Sequence, residues 1–168
     1  MWKQGLDALF FEHCNVQKWS ISCRNLALSF IPQAGHDPSP CIDLSSPLER
    51  ERLSPSAIKA FFNIMERWKT SEAVGRALLG GVSRGRYHSL KKGRGKLDQD
   101  ELTRVSLLVG VFKALHILHS EKLADAWMSL PNRNRIFGGG SPLDYLVHGG
   151  LPAFLNVRRL LDARREGV

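Results

Sequence analysis

Residues Ser71 to Lys92 read SEAVGRALLGGVSRGRYHSLKK. Ser71 can cap an orphan backbone N–H and Glu72 places an acid in the first turn, so a short helix is expected to open here and run to Leu79. Gly80-Gly81 ends it, because glycine takes the left-handed conformation without a Cβ clash. A second short helix is expected from Ser83 to about Lys92, stopped by Gly93-Arg94-Gly95. A short helix, a glycine turn and a second short helix fit the helix-turn-helix unit. In such a unit Ala77 is expected to let the two helices approach, and Gly81, four positions on, to permit the tight turn. Val82, Tyr87 and Leu90 supply the apolar side of the second helix. Arg84, Arg86, His88, Ser89, Lys91 and Lys92 are left to face outward.

That outward face suits DNA. Ser83, Arg84 and Arg86, at the start of the second helix, are expected to reach base edges, since arginine can donate two hydrogen bonds to guanine O6 and N7. Lys91, Lys92, Arg94 and Lys96 are expected to neutralise phosphates, which adds affinity and salt dependence without sequence information. The stretch from Ala73 to Leu97 holds seven basic residues and no acid. The wider charge follows it: five basic and six acidic residues lie before Leu53, nineteen and ten after it, giving +8 over the 168 residues. A basic run alone is usually a solvated face of packed helices, but the glycine turn, the apolar spacing and the acid-free basic run coincide here, which favours DNA binding over that reading.

Outward from this unit the chain reads as all-α. Ser54-Pro55 resembles a helix start, with Pro at the first helical position, and Ile58, Phe61, Phe62, Met65 and Trp68 recur at helical spacing. Asp98 followed by Glu101 matches a capping box, and the helix after it, Leu102 to Leu118, is apolar almost all round and so is expected at the centre of the core. Leu123, Ala126, Trp127 and Leu130 suggest a fifth helix that Pro131 ends. A loop from Asn132 to Gly140 follows, then a Ser141-capped short helix closed by Gly149-Gly150, then a last helix from about Pro152. The expected organisation is an irregular arm over 1–53, a helix-turn-helix part over 54–119 and a second small helical part over 120–168.

Other function classes find little support. A 43% hydrophobic and 24% charged composition is that of an ordinary globular chain. The longest apolar stretch, Val105 to Leu118, is too short for a bilayer crossing and contains Lys113 and His116. The first residues carry neither a basic leader nor an apolar cleavable core, so a cytoplasmic protein is expected. Cys14, Cys23 and Cys41 are odd in number and read as reduced thiols. His13, His36 and these cysteines lack the close paired spacing of a zinc site. His116 and His119 could share a helix face but have no nearby carboxylate or cysteine pattern, and are expected as partly buried, hydrogen-bonded side chains. Gly138-Gly139-Gly140 lacks the strand and spacing of a phosphate loop. Neither Ser83 nor Ser141 has an evident general base. No catalytic residue, metal or cofactor is expected.

Several separate motifs, in order, resemble the Xre/MbcA/ParS-type antitoxins. They are Phe62-Asn63-Ile64-Met65-Glu66-Arg67-Trp68, Leu78-Leu79-Gly80-Gly81-Val82-Ser83, Gly110-Val111-Phe112-Lys113-Ala114-Leu115-His116, Trp127-Met128-Ser129-Leu130-Pro131-Asn132, Phe137-Gly138-Gly139-Gly140-Ser141-Pro142-Leu143 and the closing Val157 to Arg165. The resemblance covers roughly Leu53 to Val168. It implies a non-enzymatic, all-helical antitoxin with an Xre-like DNA-binding part and a toxin-binding part. The implied partners are a RES-domain toxin that degrades NAD, promoter DNA and a second copy of the chain. It further implies that the C-terminal helix and tail block the toxin's active site. The residues so implicated are Trp127, Asn132, Phe137, Ser141, Arg158, Arg159, Asp162, Arg164, Arg165 and Val168. The alternative is a stand-alone helix-turn-helix regulator whose C-terminal part serves only dimerisation or an effector.

Overall fold

The computed structural model describes residues 42–167. Most of the expected arm, with its histidines and cysteines, lies outside the described residues, as does Val168. Helix α1 spans Pro47–Arg67 and so begins well before the expected start at Ser54-Pro55. Ser46-Pro47 carries the same Ser-Pro pattern, and Pro47 takes the first helical positions while Ser46 makes no side-chain cap. Ser54 does not cap a helix. It is buried, its hydroxyl donates to the Arg50 carbonyl at 2.5 Å and accepts from the Leu97 N–H at 2.9 Å. Pro55 sits inside the helix, where it removes one backbone donor. Burial of Leu53, Ala57, Ile58 and Phe61 on one face accounts for the continuation.

Helices α2 (Glu72–Leu78) and α3 (Arg84–Lys91) follow, then α4 (Gln99–Leu118), α5 (Glu121–Trp127), a single 3₁₀ turn at Arg135–Phe137 and α6 (Pro142–Arg165). Among the described residues there is no strand. The capping box at the head of α4 has both arms: Asp98 accepts from the Glu101 N–H, and Glu101 accepts from the Asp98 N–H, each at 2.8 Å. From Leu102 to Leu115 most of α4 is buried, as its all-round apolar pattern requires. It packs against α1 and α6, with α5 against it as well.

One core therefore serves both expected parts. Its fully buried side chains come from α1 (Phe61), α2 (Leu78), α3 (Leu90), α4 (Leu108, Leu115) and α6 (Phe154, Leu161). Each such side chain contributes about 2 kcal/mol of apolar burial. In α5 the inward residues are Ala124 and Trp127, while Leu123, Ala126 and Leu130, whose spacing suggested the helix, are exposed. The reason is length: the helix stops at Trp127 and Met128 turns fully inward, its carbonyl accepting from Leu143 N–H at 2.9 Å. Within α6, Gly150 (φ 55°, ψ −152°) breaks the helix where the glycine pair predicted an end. No helix among the described residues is long and apolar enough to cross a membrane.

Candidate nucleic-acid and partner interfaces

The α2–turn–α3 unit is built from local caps. Ser71 Oγ accepts from Val74 N–H at 3.3 Å, and Ser83 Oγ accepts from Arg86 N–H at 3.2 Å. Between them Gly80 (φ 96°) and Gly81 (φ 82°) take left-handed backbone, and Arg76 Nε donates to the Val82 carbonyl at 2.9 Å, tying α2 to the turn. The close approach of the two helices is at Gly75, whereas Ala77 was expected there. A Cβ on Gly75 would stand 2.5 Å from the Tyr87 hydroxyl and 3.1 Å from its ring carbons. Tyr87 and Leu90 point inward as their spacing requires, and Tyr87 meets Phe62 edge-on at 5.1 Å between centroids. Burial pushes the Tyr87 phenol above its ordinary value of 10.0, with the nearby Glu72 charge adding to the shift.

The outer face of α3 divides its arginines. Arg84 is exposed, its Nε donating to Glu72 Oε1 at 3.0 Å, and His88 Nε2 lies 3.3 Å from the other oxygen of the same carboxylate. Arg86 is held by the fold. Its Nε and Nη2 donate to the two oxygens of buried Glu101 at 2.7 and 2.6 Å, and Nη2 also donates to the Lys96 carbonyl at 3.0 Å. The hydrogen bonds with Glu101 raise the Arg86 guanidinium further above the ordinary arginine range. Arg86 was expected at a base edge; in the structure its Nε and Nη2 are taken up by Glu101, which makes it a bracket between α3 and the head of α4. Its partner was legible only as a capping residue, since nothing in sequence spacing reports a carboxylate fifteen positions away. Lys96 pairs with Glu51 at 2.7 Å. Ser89, Lys91, Lys92 and Arg94 are exposed, and the last three make no ion pair among the described residues. Arg86, Ser89 and Arg94, with Gly85 and Gly95, line a shallow groove beside α3. Gly85 was overlooked: a Cβ there would meet nothing of the protein. A glycine inside an eight-residue helix, where it costs helix stability, was its signal.

In the C-terminal part the expected contact residues fall into three groups. Trp127 and Phe137 belong to the core, edge-on to each other at 5.8 Å, and Phe137 is likewise edge-on to Tyr145 at 5.5 Å. Their aromatic surface is used inside the protein. Asn132 and Ser141 shape the loop: Asn132 Oδ1 accepts from Asn134 N–H at 2.9 Å, and Ser141 caps α6 by accepting from Asp144 N–H at 3.1 Å. Arg158 is also buried. Its guanidinium lies against Gly110 of α4 and its Nε donates to Asp162 Oδ2 at 2.7 Å, so it too serves packing before any partner. Arg159, Arg164 and Arg165 are exposed on the last turns, Arg165 reaching Asp162 at 3.5 Å.

The end of α4 holds a polar group that sequence spacing did not foresee. Arg67 from α1 pairs with Glu121 and Asp125 of α5, and Asp125 Oδ1 lies 3.2 Å from His116 Nε2. His116 therefore has a nearby carboxylate after all, and its Nδ1 meets the Phe112 carbonyl at 2.9 Å. His119 Nε2 is buried without a hydrogen-bond partner, contrary to expectation. Among the described residues no group of histidine, cysteine and carboxylate side chains could hold a metal ion.

Comparison with known proteins assigns both halves. Residues 47–110 match the antitoxin Xre-like helix-turn-helix domain, and residues 113–167 match the antitoxin Xre/MbcA/ParS C-terminal toxin-binding domain. The chain belongs to the Xre/MbcA/ParS-type antitoxins. Both are regulatory and binding domains, not enzymes. The antitoxin is also 37% identical over 124 residues to the uncharacterized protein y4oB of Sinorhizobium fredii, covering 73% of this chain and 95% of that protein. No solved structure matches it. The first domain match starts at the first residue of α1. The two matches meet within α4, the helix whose core contacts reach both α1 and α6.

Proposed function

We propose that this antitoxin binds a RES-domain toxin, keeps it from degrading NAD by covering its active site with the end of α6, and represses its own operon as a cytoplasmic homodimer on promoter DNA. The observation that carries the toxin-facing half of this reading is the division of arginines on α6. Arg158 anchors the helix in the core, while Arg159 and Arg164 stand exposed on its last turns and Arg165 reaches only the half-buried Asp162. Guanidinium forks so presented can pair with carboxylates or enter a phosphate-binding pocket on a partner. On the DNA-facing half, α3 presents Ser83, Arg84, His88 and Ser89 toward bases, with Lys91, Lys92, Arg94 and Lys96 for phosphates; Arg86 holds the helix in place.

The test is co-expression with the product of the adjacent reading frame, reading growth and cellular NAD. The neighbour alone is expected to stop growth and deplete NAD, and the pair to do neither. Replacing Arg159 and Arg164 together by Glu is expected to abolish protection while leaving thermal unfolding of the antitoxin nearly unchanged. A harmless neighbour, or protection indifferent to that double change, would remove the toxin-facing assignment.

A further inference from the structure

Glu72 is the single acidic residue between Ser71 and Leu97, and it contacts the outer face of α3 in an otherwise cationic unit. It is the first residue of α2, and its carboxylate reaches across the turn to the first residue of α3. One oxygen accepts from Arg84 Nε at 3.0 Å, and the other lies 3.3 Å from His88 Nε2, one helical turn further along. As an exposed ion pair this contact adds little stability. Its geometry matters more. The bond engages Arg84 at Nε, so the two terminal nitrogens remain at the outer edge of the fork, and those are the donors that match guanine O6 and N7. Arg84 keeps 76% of its side-chain surface in solvent. Without the carboxylate so long a side chain would sample many rotamers and bind phosphates as readily as bases.

We propose that Glu72 is a positioning residue that aims Arg84 for base reading and so sets the sequence selectivity of the antitoxin on DNA; the inference rests on α3 being the recognition helix. Its negative charge acts in the same direction. It opposes phosphate-driven binding to any duplex, leaving bound those in which Arg84 finds its base.

The experiment starts by enriching a duplex from a random-sequence library with the unaltered full chain, then measures affinity for that duplex and for a scrambled duplex of equal composition. The ratio of the two is the readout, because partial unfolding lowers both affinities by the same factor and leaves the ratio alone. Glu72→Ala is expected to strengthen binding to the scrambled duplex and to lower the ratio about tenfold. Glu72→Gln keeps an acceptor for Nε without the charge, and is expected to hold the ratio within about threefold of the unaltered chain. In an Arg84→Ala background the Glu72→Ala change is expected to move the ratio less than about twofold. An equal rise in both affinities with Glu72→Ala would make Glu72 a mere repeller of phosphate and overturn the proposal. So would a Gln variant indistinguishable from the Ala variant. Failure of the unaltered chain to enrich any sequence would overturn the recognition-helix assignment itself, and shows before any substitution is made.

Discussion

The two basic regions of the molecule, around α3 and at the end of α6, are arranged alike but secured differently. Each commits one arginine to the fold and leaves others in solvent. Arg86 is secured by a carboxylate on another helix, fifteen residues on, whereas Arg158 is secured by Asp162 on its own helix and by flat contact with Gly110. The orientation of α3 therefore hangs on a long-range ion pair with a nearly dry partner. That of α6 hangs on close helix packing. Basic residues of one sequence stretch are not one functional class: the committed member fixes where the free members point.

The largest effect should come from breaking the long-range bracket. Glu101 is 3% exposed and accepts from both Arg86 nitrogens and from Asp98 N–H. Glu101→Ala removes the capping box and strands Arg86 together, and should lower the unfolding free energy in urea by about 3 kcal/mol. Glu101→Gln, which keeps an acceptor, should lose about half as much. A loss below about 0.5 kcal/mol for the Ala variant would mean that α3 is held by its apolar side alone.

A second break concerns spacing within the unit. Gly75→Ala places a methyl against the hydroxyl and ring of the buried Tyr87, and should cost about 2 kcal/mol by overpacking. Ala77→Gly, at the position expected to matter, should cost only the helix propensity of about 1 kcal/mol. If the two changes cost the same, the close approach lies elsewhere.

These positions show what sequence could and could not disclose. The caps at Ser71, Asp98 and Ser141, the glycine breaks and the buried α4 were legible because each rests on chemistry within four residues or on a helical period, whereas Ser83, expected to face bases, proved to cap α3. The start of α1 was not. Ser46-Pro47 and Ser54-Pro55 carry the same local signal, and the choice between them lies in packing: Leu53 and Ala57 are buried on either side of Ser54, whose hydroxyl meets the Leu97 N–H from forty-three residues away. The internal partners of Arg86, Arg158, Trp127 and Phe137 were hidden for the same reason. Residue type shows what a side chain can do, but only the packed neighbour decides whether it is left free to do it.

A third outcome is confined to alkaline pH. Because burial raises the folded-state pKa of Tyr87 above the unfolded value of 10.0, the folded protein keeps a proton that the unfolded chain loses. Stability is then full below that value and declines as the pH rises through it toward the folded pKa. Tyr87→Phe should flatten this decline in unfolding midpoints collected from pH 9 to 11, an interval set about the ordinary tyrosine value. An unchanged slope would place the phenol in contact with water in the folded state.

The smallest effect on stability should have the opposite sign, and it separates fold from function on a single helix. Gly85 is helical, exposed, and free of any protein neighbour on its Cβ side, so alanine fits there without strain. Gly85→Ala should stabilise the antitoxin by about 0.5–1 kcal/mol through helix propensity and a less disordered unfolded chain. The fold gains nothing from a glycine at this place, which leaves close approach of another surface as its physical use. On DNA the added methyl should project into the space between α3 and the duplex and weaken binding to an enriched sequence, with Arg84 and Arg86 untouched. A variant that is more stable and binds DNA less well would mark the first turn of α3 as the part that enters the groove. A variant that is more stable and binds equally well would move the contact toward Ser89 and Arg94, where the helix meets the following loop.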